Sequence, residues 1–180
     1  MSIFTRFKDI VNSNINSLLD KAEDPEKMLR LMIGEMEDTV IDLKTTTAAR
    51  MAEAIRSEKK VDEAKATVDR WQARAELAIE KGKDDLAREA LMEKKHAQET
   101  YERALENISS LKKSIEEGKE EIRTLEDKIK AAKAKLTTLQ REQERAQERR
   151  DSSVNLNARF EEMENRINRM NAYNDLSKKS

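Results

Sequence analysis

Residues 101–139 read YERALENISSLKKSIEEGKEEIRTLEDKIKAAKAKLTTL, and the spacing of the apolar positions in this stretch decides the fold. Every seventh residue from 101 is Tyr, Ile or Leu: Tyr101, Ile108, Ile115, Ile122, Ile129 and Leu136. A second series three to four residues away holds Ala97, Ala104, Leu111, Gly118, Leu125, Ala132, Leu139 and Ala146. Two interleaved seven-residue series are the a and d positions of a heptad, and they keep one apolar seam facing a partner helix over many turns. Most of the residues between them are charged or polar, as the solvated face of such a helix requires. The stretch therefore predicts a coiled-coil seam, and the facing helix must be sought elsewhere in the chain.

That helix lies upstream. Asp24 is an N-cap candidate, Pro25 suits the first helical position, and Glu26 favours the positive end of the helix dipole. From there Leu29, Ile33, Met36, Val40, Leu43, Met51, Ile55, Val61, Val68, Trp71 and Ala75 continue an apolar pattern without another Pro. The pattern predicts a helix of about 56 residues, about 84 Å long at 1.5 Å per residue. It stops near Lys81-Gly82, where Gly accepts the left-handed cap, and Asp84 or Asp85 caps the next helix. A short turn between two long helices makes them antiparallel neighbours. The expected unit is a hairpin over residues 25–150, with arms at about 25–81 and 84–150. Pairing about residue 84 sets Leu43 beside Leu125 and Trp71 beside Ala97, a large residue against a small one.

Composition agrees and excludes the alternatives. The chain has 180 residues, of which 41% are charged, with three Gly, one Pro and no Cys. Sheets need turns, and turns draw on Gly and Pro, so sandwiches, barrels and doubly wound sheets are excluded. One Trp, two Tyr and three Phe cannot fill the centre of a thick globule, but seams between helices need none. A net charge of −1, from 36 basic and 37 acidic residues, argues against disorder and against a nucleic-acid binder. The absence of Cys removes disulfides and thiolate metal sites and fits a reducing compartment. No run of 18 apolar residues occurs, the N-terminus lacks a signal-peptide core, and Ser2 stands where myristoylation needs Gly. These features describe a cytosolic protein that visits a membrane surface.

Two segments flank the hairpin. In residues 1–22, Ile3, Phe4, Phe7, Ile10, Val11, Ile15, Leu18 and Leu19 step by threes and fours along one helical stripe. Arg6, Lys8, Asp9, Asn12, Ser13, Asn16, Ser17 and Asp20 lie opposite. Such a helix either packs on the hairpin or a neighbouring subunit, or it inserts its apolar face into the headgroup region of a bilayer. At the other end, the run Arg149-Arg150-Asp151-Ser152-Ser153 interrupts the seam, and Ser152 or Ser153 is positioned to cap a separate helix over 152–175. In it Leu156, Phe160, Met163, Ile167 and Met170 form an apolar stripe without a partner in the hairpin, which points to contacts between copies of the chain. Residues 176–180 read as a frayed tail.

The inventory for catalysis is nearly empty. His96 is the only His, and it neighbours the seam on a charged helix. No phosphate-binding or dinucleotide-binding Gly motif occurs. Carboxylate pairs such as Glu161-Glu162 read as a solvated face, because acid–base work needs a pocket. No enzymatic activity, metal or cofactor is expected.

The N-terminal stretch SIFTRFKDIVNSNINSLLDKAEDPEK, residues 2–27, followed by LRLMIGEMEDT at 29–39, resembles the phage-shock protein A family. That family includes the vesicle-inducing protein of plastids and is structurally similar to the ESCRT-III proteins. The likeness is near-continuous over residues 1–45. It recurs at Trp71-Gln72 and from Ala75 to Ala87, then more weakly at Arg159-Phe160 and Arg166-Ile167. The resemblance implies an all-α protein with a long antiparallel coiled-coil hairpin, preceded by an N-terminal amphipathic helix and followed by a shorter one. It implies polymerisation into rings or helical rods, and binding to anionic or packing-defective membrane lipids on the cytoplasmic face of the inner membrane. Under it Ile3, Phe4, Phe7, Ile10 and Val11 carry the membrane face, extended by Ile15 and Leu18 of the same stripe. Lys44 and Glu126 form a candidate pair, and with Phe160, Met163, Arg166 and Ile167 they make up the assembly surface. Ile129 stands where the family places a further acidic residue, and the chain ends soon after residue 175, where longer members continue. The implied function is membrane maintenance or remodelling under envelope stress. The alternative is a soluble regulator that sequesters an AAA+ transcriptional activator of the phage-shock response.

Overall fold

The computed structural model describes residues 3–179, with side chains from residue 5 onward. Its elements are α1 (Ile3–Asn12), α2 (Ile15–Asp20), α3 (Pro25–Glu80) and α4 (Asp84–Ser177). The two long helices pack against each other as an antiparallel hairpin, and α1 and α2 lie at its open end, against α3 and α4. Among the described residues there is no strand.

The start of α3 follows its sequence signals. Asp24 is extended, its carboxylate accepts a hydrogen bond from the Lys27 amide at 3.0 Å, and Pro25 occupies the first helical position. The turn to α4 closes as a Schellman motif. Gly82 has φ +66°, its amide donates to the Ile79 carbonyl, and the Lys83 amide donates to Ala78 at 2.9 Å. Lys83 holds the N-cap position of α4 without a side-chain hydrogen bond, so Asp84 and Asp85 fall in the first turn and act on the helix dipole instead of capping.

The seam is buried where the heptad places it. Leu125 and Ala132 of α4 are buried with Leu29, Ile33, Met36, Val40 and Leu43 of α3, Ile108 and Ile115 with Ala54, and Gly118 is buried beside Thr47. Three ion pairs flank the seam and fix its register: Glu37–Lys133 at 2.7 Å, Lys44–Glu126 at 2.6 Å and Glu58–Lys112 at 2.8 Å. All three are symmetric about residue 85, one residue from the expected centre of pairing. Leu43 and Leu125 share one cluster. At the open end the Glu26 carboxylate accepts hydrogen bonds from Arg30 of its own helix and from Gln140 of α4. These bonds, Arg30's foremost, hold its pKa below the ordinary carboxylate value. Their contribution to stability is therefore present above that ordinary value and is lost as pH falls through the lowered one.

Two boundaries differ from the sequence expectation. The segment 1–22 is not one helix: it breaks at Ser13-Asn14, where the Ser13 hydroxyl donates to the Ile10 carbonyl at 2.6 Å and the Asn14 side chain caps α2 from the Ser17 amide. Polar residues that bond the local backbone compete with the helical ladder at this point. The second difference is the absence of a break at 149–153. Helix α4 runs unbroken to Ser177, so the expected separate helix 152–175 is its continuation, and Leu176 and Ser177 are helical where fraying was expected. Ser152 and Ser153 each cost a helix interior only about half a kcal/mol relative to Ala, and no Gly or Pro follows Gly118 to terminate it. Ser180 of the expected tail lies outside the described residues. Because α3 begins at Pro25, its partner residues on α4 end near Gln140. Beyond that point every described residue is exposed, Ala146 of the heptad included.

The helices come close together at Thr47 and Gly118. A Cβ on Gly118 would lie 2.6 Å from the Thr47 hydroxyl oxygen and 3.6 Å from both other side-chain carbons of that Thr, so Thr47 would have to turn its hydroxyl away or the helices would have to part. We expect Gly118→Ala to destabilise the hairpin by about 1–3 kcal/mol despite the better helix propensity of Ala. Thr47→Ala in the same chain should restore the midpoint of thermal unfolding followed by circular dichroism. A single variant as stable as the parent would show that the helices do not meet at this distance.

Candidate membrane and assembly surfaces

The N-terminal stripe is folded back on the stem. Phe7, Ile10 and Ile15 pack, partly buried, against a cluster of Leu19, Leu29, Ile33, Met36, Val40, Leu43, Leu125 and Ala132. Val11 is half-buried, whereas Leu18 is 39% exposed. The side chains of Ile3 and Phe4 lie outside the described residues. The helical spacing that puts these residues on one stripe thus gives the stem its third layer at this end, and only here do more than two helices share a core.

Two polar contacts hold this layer in place. Arg6 of α1 reaches Asp42 of α3 at 3.5 Å. Lys128 of α4 turns its ammonium toward the end of α1 and donates to the carbonyls of Ile10, Val11 (2.8 Å) and Ser13 (3.1 Å). These carbonyls lie at the C-terminal end of α1, where a helix concentrates negative partial charge and leaves acceptors without intrahelical donors. Partial burial lowers the pKa of Lys128 from its ordinary value, since the ammonium has exchanged water for carbonyl oxygens. The sequence reading did not single out Lys128. It sits beside the heptad position of Ile129, where a Lys is unremarkable, and only the fold brings α1 to it.

Of the expected assembly residues, Lys44 and Glu126 meet each other within one chain. Both side chains are about half exposed, and the pair is one of three equivalent rungs along the stem. Phe160, Met163, Arg166 and Ile167 lie elsewhere, on the projecting part of α4. That part, residues 141–177, extends alone for about 55 Å at 1.5 Å per residue. Along it Phe160 is 68% exposed and Ile167 52%, and Leu156, Met163 and Met170 continue the stripe. Leu156, Phe160, Met163, Arg159 and Arg166 line one shallow hollow of the helix surface.

The closed end of the hairpin carries a second apolar surface. Trp71, Leu77, Ala78, Leu86 and Ala90 line a groove bordered by Arg74, Lys81, Lys83 and Glu89. The Arg74 guanidinium lies over the Trp71 ring, 4.6 Å from its centre, an attractive stacking of cation on π-face. Trp71 therefore lines this groove, partly exposed, together with the first turns of α4.

Among the described residues no group of three or more His, Asp or Glu side chains converges as a metal site, and no helix is long and apolar enough to cross a membrane.

Comparison with known proteins places these faces in context. Membrane-associated protein Vipp1 of Nostoc punctiforme is 44% identical over 100 residues, covering 56% of this chain and 39% of that protein. The Synechocystis Vipp1 is 37% identical over 100 residues, 56% of this chain and 38% of that protein. A phage shock protein A homolog of Bacillus subtilis is 42% identical over 94 residues, 52% of this chain and 41% of that protein. The matched stretch thus spans about two fifths of each of these relatives. The model of the PspA/IM30 family matches residues 2–180, nearly the whole sequence and both long helices with it. The chain belongs to the PspA/IM30 family.

Proposed function

We propose that this protein binds membranes peripherally through α1 and α2, polymerises through α4, and maintains or remodels the inner membrane from its cytoplasmic face in the manner of an ESCRT-III-like protein. The observations that carry this reading are two apolar stripes outside the two-helix seam: the N-terminal stripe, laid on the stem as a separate third layer, and the exposed stripe on the lone projection of α4. The names of the Vipp1 relatives, which describe membrane-associated proteins, support the first assignment.

The N-terminal stripe suits the headgroup region. Phe4, Phe7, Ile10, Val11, Ile15 and Leu18 share a face, and Arg6 and Lys8 with small polar residues line the opposite one. Burying a Phe, Ile or Leu side chain stabilises by about 1.5–3 kcal/mol, so a few such residues outweigh the ordering of a short terminal segment. With nearly balanced charge on the segment, hydrophobic insertion rather than anionic attraction supplies most of the binding, and packing-defective lipid is the preferred surface.

The projection of α4 suits assembly. Its stripe from Leu156 to Met170 is exposed and has no partner among the described residues, and a contact between this stripe and a different surface of a second copy is head-to-tail. Such contacts do not close after two copies and continue into rings or helical rods. The Lys44–Glu126 pair stiffens the stem that each copy presents, and as an exposed pair it adds only about 0–1 kcal/mol.

Two experiments test the two halves of the reading. Phe4→Asp with Phe7→Asp should abolish flotation with phosphatidylglycerol/phosphatidylethanolamine vesicles while the helical circular dichroism signal of the stem persists; flotation equal to the parent would remove α1 from the membrane role. Phe160→Ala with Ile167→Ala should convert large sedimenting particles to small species of unchanged helicity. A parent protein that sediments as a monomer at micromolar concentration, with and without lipid, would defeat the polymer.

A further inference from the structure

The residues assigned above to the membrane are the ones that hold α1 and α2 on the stem. Phe7, Ile10 and Ile15 cannot pack against Leu29, Ile33 and Leu125 and enter a bilayer at the same time. Membrane binding therefore has to be measured against docking, and the contacts that favour docking set the threshold.

The decisive contact is the one from Lys128. Its three acceptors, the carbonyls of Ile10, Val11 and Ser13, converge only because the chain breaks at Ser13-Asn14. In an unbroken helix through this region those same carbonyls would be taken by the amides of Asn14, Ile15 and Ser17, four residues on. Here the Ser17 amide donates to the Asn14 side chain and the Ser13 amide to Ile10 instead. The broken, docked segment and a continuous amphipathic helix compete for one set of acceptors. A continuous helix is the form that presents the full stripe from Phe4 to Leu19 to a flat surface.

We propose that Lys128 is the latch of an autoinhibited state: by capping the end of α1 from across the stem it holds the N-terminal segment broken and docked, and its release lets α1 and α2 join into one helix that inserts into lipid. This inference rests on the membrane reading of the N-terminal stripe. Arg6 and Asp42 are the second, weaker tether, on the other side of α1. The latch makes a prediction opposite in sign to simple electrostatics. Removing a cation weakens attraction to an anionic surface, whereas removing Lys128 strengthens binding by freeing the inserting helix.

Lys128→Met keeps the aliphatic stem of the side chain and deletes the charge. Without lipid, amide hydrogen exchange in residues 5–19 should accelerate by about tenfold or more, the size of a modest population shift. Lys128→Arg should retain most of the parent's protection. With phosphatidylglycerol/phosphatidylethanolamine vesicles, Lys128→Met should float at about tenfold lower lipid than the parent. In a complementary experiment Arg6→Cys and Asp42→Cys are bridged by a reducible bismaleimide, which is specific because the chain has no Cys of its own. The bridged protein should stay in solution and float once the bridge is reduced. Accelerated exchange without tighter vesicle binding, or flotation of the bridged protein, overturns the latch while leaving the membrane reading intact. Flotation by none of the parent, Lys128→Met and reduced proteins overturns both.

Discussion

A seam between two helices buries one stripe of each, and every other feature of this molecule follows from that limit. The large side chains sealed completely are few: Leu29, Met36 and Leu125, with Thr39 among them. They lie in the half of the stem near the open end, where α1 and α2 add a third layer. Ile108 and Ile115 are still buried beside Ala54 at mid-stem, and beyond them toward the turn the buried positions shrink to Val68, Ala75, Ala87 and Ala90, because two helices alone leave little depth for a large side chain away from water. The core thus tapers toward the turn, where Leu77, Ile79, Leu86, Leu91 and Met92 are left on the surface.

What the sequence disclosed and what it withheld divide along this same line. The heptad from Tyr101 to Leu139 is a long-range average over many turns, and it survived into the structure together with its register, which the ion pairs confirm to within a residue. Asp24-Pro25 and Gly82 are strong local signals with a single backbone solution each, and both were legible. The break at Ser13-Asn14 was visible in principle, since Asn12, Ser13 and Asn14 are three cap-forming residues in a row. On a helical wheel, however, Asn12 and Ser13 also fill the polar face, and periodicity alone does not separate the two meanings. At 149–153 the ambiguity resolved the other way. Ser152 and Ser153 form caps only if the backbone leaves the helical region, and nothing packed nearby draws it out. Lys128 was illegible for a different reason: its acceptors are backbone carbonyls more than a hundred residues away in the chain, and no side-chain pattern records them.

The position of Ala146 shows how arithmetic limits a seam. It continues the heptad, yet it is exposed, because antiparallel pairing about residue 85 exhausts α3 once Pro25 is reached. A seven-residue repeat beyond that point no longer describes contacts within the chain. The same repeat of threes and fours from Leu156 to Met170 is written in the same code as the first seam and is distinguished from it only by counting residues back from the turn; under the proposed function its partner is a second copy of the chain.

Continuity of α4 changes what such a partner does. Had residues 149–153 formed a linker, the assembly stripe would swing freely and the stem would sense nothing of its engagement. As built, Phe160 and Lys128 stand on one helix, 32 residues apart and so separated by about 48 Å of rise. No Gly or Pro lies between them to absorb a bend. A neighbour that grips the projection fixes the direction of the stem, and with it the direction in which α1 and α2 face. Under the proposed function, orientation of the membrane element is thus set by assembly through a single stiff rod, and the unbroken helix, which the Ser pair argued against, is the physical reason that the two surfaces would act on one geometry.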